Sequence, residues 1–284
     1  MIRPARPHEQ RRTNMRKRII GLLMAFTLAN SLLLTACGTS AQNSTSDMDH
    51  LARVKNSGKL IIAMEGQWAP WTYHDESGEL VGYDTEVGRA IAGKLGVEAE
   101  FVEGEWDGLF TGLDGGRYDC IINGVEITPE RMEKYDFTTP YGYIKTALVV
   151  AEDNSDITTF EDLNGKTTSN SLGSTYADLA EKYGASVRNV DTLSETIDMV
   201  ISGRADATLN AELSFYDYLN EHPDAAFKIV ALTEDASEVS IPLVKGTDND
   251  TLRAAIDQAI LELAVEGVLT DLSQKYFGTD ISKN

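Results

Sequence analysis

The stretch from Asp119 to Tyr141, DCIINGVEITPERMEKYDFTTPY, constrains this chain most. Cys120-Ile121-Ile122 reads as a buried strand that stops at Asn123-Gly124. A short loop, Val125-Glu126-Ile127, follows it. Thr128-Pro129-Glu130-Arg131 then opens a helix, because Thr is a good N-cap and Pro fits the first helical position, where its missing N–H costs nothing. Beside one strand end, this sets the free amides of a helix start, the Arg131 guanidinium and the Glu126 carboxylate. Helix N-termini favour anions, and Arg grips a carboxylate through two parallel hydrogen bonds. A carboxylate grip with an acid nearby for an ammonium group is a zwitterion site. Its chemistry points to an amino acid.

The 284 residues allow one large domain or two of ordinary size, with enough apolar material for a core. Formal net charge is −20, and the first 36 residues hold seven basic groups and one acid. Without that segment, 18 basic and 44 acidic residues remain, a net of −26. Phosphate backbones repel such a chain, and no basic stripe offsets this, so nucleic acid is excluded as a partner. The acidity reads as a solvated surface. Of the two cysteines, Cys37 lies in the N-terminal segment and Cys120 in an apolar strand, so no intrachain disulfide is expected and Cys120 reads as a small buried hydrophobe. The histidines, His8, His50, His74 and His222, have no ligand spacing to one another, so no metal site and no cofactor are expected.

The run N-G-V-E-I-T-P-E-R…Y-D-F-T-T-P-Y, from Asn123 to Tyr141, resembles the ligand-gripping segment of the polar amino-acid solute-binding proteins of ABC transporters. Gly82-Tyr83-Asp84-Thr85-Glu86-Val87, running into Ala90-Ile91, resembles the same family's G-[FY]-D-x-[DE] motif. The likeness runs from about Gly58 to Gly278. It implies an α/β fold of the periplasmic-binding-protein type II, with two lobes joined by two crossover strands as a hinge. The expected divisions are residues 51–142 with 239–284 for a discontinuous first lobe, and 143–238 for the second. Tyr143 to Val150 and Val239 to Val244 resemble the crossovers.

Residues 1–36 read as a targeting segment. A basic stretch ends at Arg18, and the uncharged run Ile19 to Ala36 follows. Leu34-Thr35-Ala36-Cys37 resembles the lipobox of bacterial lipoproteins, which implies a palmitate-type lipid anchor on Cys37. The alternative is a single membrane-spanning anchor, for which 18 residues are just long enough. Met15, followed by Arg-Lys-Arg, reads as the true start. The small polar run that fills residues 37–50 reads as a flexible tether. The implied location is the outer face of the bacterial cytoplasmic membrane.

The resemblance implies roles for particular residues. Trp68, in the loop after the strand Leu60 to Met64, matches the aromatic that stacks on the ligand, and Trp71 matches a packing position. Trp106 matches a second apolar position facing the ligand, so two indoles can sandwich a side chain; a lone Trp is otherwise core. Glu65 falls where some relatives place an acid for a basic side chain, with a solvated or hinge-side carboxylate as the alternative. Arg131 holds the ligand carboxylate, and Gly124 offers a backbone carbonyl. Ser174 and Thr175 match a second carboxylate grip, although Ser174 is also a plain N-cap.

The chain departs from the pattern at Ala211, where many relatives carry the Asp that binds the ammonium. Glu126, where many carry Ser or Thr, is then the acid moved across the cleft; Asn210 and Glu212 are the fallback candidates. The alternative for Glu126 is an exposed acid that pairs with Arg131 or favours the helix start. Gly116-Arg117-Tyr118-Asp119 is echoed by Gly203-Arg204-Ala205-Asp206, which fits two matching lobes.

The implied function is capture of a free amino acid by hinge closure and delivery to an ABC permease, by a monomer. Glu65 and Glu126 against Arg131 lean towards arginine or lysine, with cystine and other polar amino acids open. A dehydratase-like enzyme on the same fold, using Glu126 as acid or base, and a ligand-sensing subunit are the rival readings.

Overall fold

A computed structural model describes residues 49–284. The targeting segment, Met15, Cys37 and most of the tether lie outside the described residues. The expected tether end at residue 50 is too late. Asp49 caps a helix, His50–Ser57, by accepting from the Ala52 amide. A polar run looks like linker until one of its aspartates is used as a cap. The His50 ring then holds this helix down, with Nε2 2.6 Å from Asp119 Oδ1 and Nδ1 against Asn249 Oδ1.

The first lobe is built on the strand Lys59–Met64, with parallel neighbours Glu98–Glu103 on one side and Cys120–Ile121 on the other. Leu60, Ile62, Ala63 and Met64 are fully buried, as in a parallel strand covered on both faces. Cys120 is a buried free thiol, as expected, and burial pushes its pKa up. Helix Tyr83–Leu95 buries Val87, Ile91 and Leu95. Gly88 sets how closely it packs, since a Cβ there would lie 3.0 Å from Ile62 Cδ1. Helices Asp250–Val265 and Val268–Phe277 pack on that same helix, so the end of the chain returns to the first lobe.

In the second lobe, Thr146–Ala151 is the middle of an antiparallel trio with Thr208–Ala211 and Phe227–Leu232. Thr167–Asn170 runs parallel to Ser186–Asn189 and meets the trio through the Thr168–Ala207 bridge. The sequence suggests loop from Ser169 onward, but the structure keeps Ser169 and Asn170 in the strand. This strand is buried without an apolar side chain, so hydrophobic periodicity cannot show it. Two of its polar groups are held, Ser169 Oγ donating to Thr196 O at 3.0 Å and Asn170 Nδ2 to Leu209 O at 2.7 Å, while Thr168 Oγ1 and Asn170 Oδ1 are buried without a partner.

Between the lobes, Gly142–Ile144 and Ser237–Val239 run antiparallel, side by side. This crossing pair is shorter than expected. Thr146–Ala151 already belongs to the second-lobe sheet, and Pro242–Val244 pairs with Tyr135–Phe137. The echoed aspartates do the same job twice. Asp119 exchanges two bonds with Ile61, accepting from its N–H at 2.7 Å and donating to its carbonyl at 2.8 Å. Asp206 does this with Thr167 at 2.7 and 2.8 Å.

Candidate ligand cleft

Glu65, Trp68, Trp106, Gly124, Glu126, Arg131, Ser174, Thr175 and Asn210 all line one cleft between the lobes. Its atom-free space, mouth included, is about 500 Å³. It lies beyond the carboxyl ends of parallel strands in each lobe, where open α/β sheets place ligands.

Arg131 projects from the helix Pro129–Lys134, which Thr128 caps by accepting from the Arg131 amide at 3.1 Å. Nη1 donates to the Glu126 carbonyl at 3.0 Å and Nη2 to the Gly173 carbonyl at 3.2 Å. That leaves part of its donor fork for a carboxylate. Burial pushes its pKa down, and the neighbouring Glu126 charge opposes this most. The guanidinium lies 5.3 Å from the Trp106 ring centre and 5.4 Å from that of Phe110. Both indoles of the expected sandwich, Trp68 and Trp106, line the cleft, and the Trp106 ring is also a bed for Arg131.

Glu126 is anchored on the hinge. It forms an antiparallel bridge with Val239, flanked by Ile127 N to Glu238 O and Ser240 N to Val125 O, both 2.9 Å. The side chain is 6% exposed, so the exposed-acid alternative does not hold, and its hydrogen bond from Arg131 runs to the carbonyl rather than the carboxylate. Oε1 accepts from Thr175 Oγ1 at 2.8 Å across the cleft.

Trp68 stacks on Trp71 with centroids 5.2 Å apart, and Trp71 is fully buried, as expected. Gly124 has φ +56°, and a Cβ there would lie 2.5 Å from Trp68 Cζ3, so only glycine lets the indole lie down. The Gly124 amide donates to Asp84 Oδ2 at 2.6 Å, and Tyr141 OH donates to Asp84 Oδ1 at 2.8 Å. Burial pushes the Asp84 carboxyl up to about 7, against those two bonds. The G-Y-D motif thus supplies the pin that holds the Gly124 turn.

Glu65 is clamped to Asn123: its amide donates to Asn123 Oδ1 at 2.8 Å, and its Oε2 accepts from Asn123 Nδ2 at 2.6 Å. Burial pushes its carboxyl up to about 7; the Asn123 bond opposes this and the Glu105 charge adds to it. A solvated carboxylate is not what the structure shows.

In the second lobe, Ser174 caps the helix Thr175–Lys182. Its Oγ accepts from Ala177 N at 3.1 Å and donates to Ser171 O at 2.7 Å. This hydroxyl is the cap the sequence also suggests, and the helix turns its first-turn amides toward its N-terminus. Asn210 Oδ1 accepts from Ala211 N at 2.8 Å. Glu212, the fallback acid, does not line the cleft. Tyr176 approaches the Ala211 backbone without a hydrogen bond of good geometry, and it senses the charges of Glu126, Arg131 and Glu65. Sequence reasoning missed Tyr176, Asn123, Asp191 and the pinning role of Asp84. Asp84 and Asn123 lie inside the two motifs that carry the resemblance, and Tyr176 is the second residue after the Ser174 cap, which is the signal that could have found them.

Among the described residues, three bonds join the lobes across the cleft: Thr175 to Glu126, Arg131 to Gly173, and Trp71 Nε1 to Ser214 Oγ at 3.1 Å. Residues 60–279 match the model of the bacterial extracellular solute-binding proteins, family 3. The chain belongs to that family. It is 34% identical over 274 residues to the L-cystine-binding protein TcyA of Bacillus subtilis, covering 95% of this chain and all of that one. Among solved structures, it is similar to the L-cystine solute receptor of Neisseria gonorrhoeae in its unliganded open conformation (41% identity, TM-score 0.56, 82% of this chain and 98% of that one). It is also similar to an ancestral arginine-binding protein bound to arginine (35%, TM-score 0.72, 78% and 99%). The three cross-cleft bonds mark these lobes as drawn together. Among the described residues, no helix is long and apolar enough to cross a membrane.

Proposed function

We propose that this chain captures L-cystine outside the cytoplasmic membrane and delivers it to an ABC permease. The observation that carries the reading is Arg131 and Glu126 side by side in a cleft shared by both lobes. Arg131 takes the α-carboxylate, aided by the first-turn amides of the helix Thr175–Lys182. Glu126 takes the α-ammonium, and Trp68 offers its free face to the side chain. Closure follows because the second-lobe helix meets Glu126 and the ligand only when the lobes approach. The names of the relatives, two cystine proteins and an arginine protein, support a polar amino acid.

A basic amino acid is the second reading. Glu65, Glu126 and Asp191 line the cleft, and Arg131 is the only Lys or Arg among its lining residues. The lining holds no His, Lys or Cys to partner Glu126 in acid–base work, which favours a binding protein over a dehydratase. We place the chain on the membrane through a lipid on Cys37, working as a monomer.

A thermal-shift screen of the refolded chain against all amino acids and cystine tests the reading. A ligand at a thousand times its Kd adds about 4 kcal/mol of stability. A shift confined to cystine, or to it and a few polar amino acids, is expected; no shift with any would send the reading to other carboxylates.

A further inference from the structure

We infer that Ser214 is a positioning residue of the cleft: by accepting from the Trp71 indole it fastens one cleft wall to the other, and this pair sets how readily the lobes close on any ligand. The inference rests on the reading of the cleft as one that closes on an amino acid. It adds a determinant of closure that touches no ligand.

The pair stands apart from the other two cross-lobe bonds. Those bonds use Glu126 and Arg131, which line the cleft, so a ligand that engages either group has to share it. Trp71 and Ser214 do not line the cleft, and both are fully buried. Trp71 Nε1 donates to Ser214 Oγ at 3.1 Å.

Each partner is tied to a wall. On the first lobe, Trp71 lies against Trp68, which lines the cleft, with the rings 19° from parallel. Trp71 cannot swing freely. Its amide donates to the Trp68 carbonyl and its carbonyl accepts from the Asp84 amide, both at 2.9 Å, and Phe277 packs on its ring at 4.8 Å. On the second lobe, Ser214 sits in the first turn of the helix Glu212–Glu221, four residues after Asn210, which lines the cleft. The bond therefore joins the support of Trp68 to the root of the Asn210 wall.

The chemistry makes the bond matter to closure. An indole N–H only donates, and a buried donor left unmet costs more than the bond itself adds. When the lobes part, water meets the N–H whether or not Ser214 is there. When they close over an alanine, the N–H is buried with no acceptor. Loss of the hydroxyl thus penalises the closed form alone, and a ligand that binds this form loses apparent affinity whatever its side chain.

The test uses the full chain carrying Cys37→Ser, so that no thiol there exchanges with cystine. Ser214→Ala, Trp71→Phe and the double variant are compared with it, and thermal melts check that each is folded. Solution scattering reads the ligand-free chain, and titration calorimetry reads L-cystine, L-arginine and L-glutamine. Ser214→Ala is expected to enlarge the ligand-free radius of gyration. It should weaken every amino acid that binds by one common factor, about 5- to 100-fold. On the Trp71→Phe background, which has no donor, adding Ser214→Ala should change neither radius nor affinity. A Ser214→Ala chain that melts lower but keeps its radius and affinity would make the bond merely structural and overturn the inference. So would a loss that varies from ligand to ligand, or one that persists in full on the Trp71→Phe background. If none of the three amino acids binds the parent chain, the amino-acid reading falls, and the scattering comparison still decides the role of Ser214.

Discussion

The Thr175 hydroxyl donates to Glu126 Oε1 at 2.8 Å, from the first turn of a second-lobe helix to an acid anchored on the hinge. The bond exists only while the lobes are together, so the acid assigned to the ammonium also reports closure. Thr175→Val keeps the side-chain shape and removes the donor. It should weaken ligand binding by about 1 kcal/mol and open the ligand-free protein, read as a larger radius of gyration in solution scattering. An unchanged radius and affinity would mean that the bond has no part in closure.

In the proposed reading Arg131 grips the carboxylate of every ligand, so Arg131→Ala should abolish binding of every amino acid tested; unchanged affinity would remove Arg131 from the site. Trp106 and Phe110 bed the guanidinium. Trp106→Leu should therefore weaken all amino acids by a similar factor, about 5- to 30-fold, because it acts through Arg131. A loss that depends on the ligand's side chain would return Trp106 to direct contact.

The Asp84 carboxyl titrates at about 7 in the folded chain against an ordinary 3.8. The folded state holds this proton more tightly than the unfolded chain. The stability it contributes is complete below about pH 4 and is lost as pH rises to about 7. Asp84→Asn stays neutral, so the wild type should lose about 2–4 kcal/mol relative to this variant across that window in denaturant melts. A constant difference would contradict the burial argument.

Glu65 is raised to about 7 in the ligand-free cleft. A cationic group placed beside it favours the carboxylate and expels the proton. Binding near pH 6 should release protons, and cystine affinity should rise as pH climbs from about 4.5 to about 7. Calorimetry in buffers of different ionisation enthalpy reads the release directly; an enthalpy that ignores the buffer would exclude Glu65 from contact with the ligand's cation.

The lobe plan and one wall of the cleft were legible because their signals are local. The Thr-Pro cap, Arg131 and Glu126 sit within a few residues of one another, and the cap geometry follows from residue types alone. The Asp119 and Asp206 echo was legible for the same reason. What escaped depends on meetings across the fold. Trp106 and Arg131 come from separate helices, and nothing in either segment says that one lies over the other. The strand Thr167–Asn170 has no apolar period because the residues it buries are polar, Ser169 and Asn170 being tied to the backbone of neighbouring elements. Tyr176, in the helix Thr175–Lys182, meets the backbone of Ala211, in the strand Thr208–Ala211, through the fold alone, which a pattern of single residues cannot foresee.

The most direct test of the zwitterion clamp is calorimetric titration of L-cystine into the wild type, Glu126→Gln and Glu212→Gln. The amide that Glu126→Gln introduces can still accept from Thr175 but brings no charge to an ammonium. The clamp predicts that Glu126→Gln loses about 2–4 kcal/mol of binding while Glu212→Gln matches the wild type. Wild-type affinity in Glu126→Gln, or the loss appearing in Glu212→Gln instead, would contradict it.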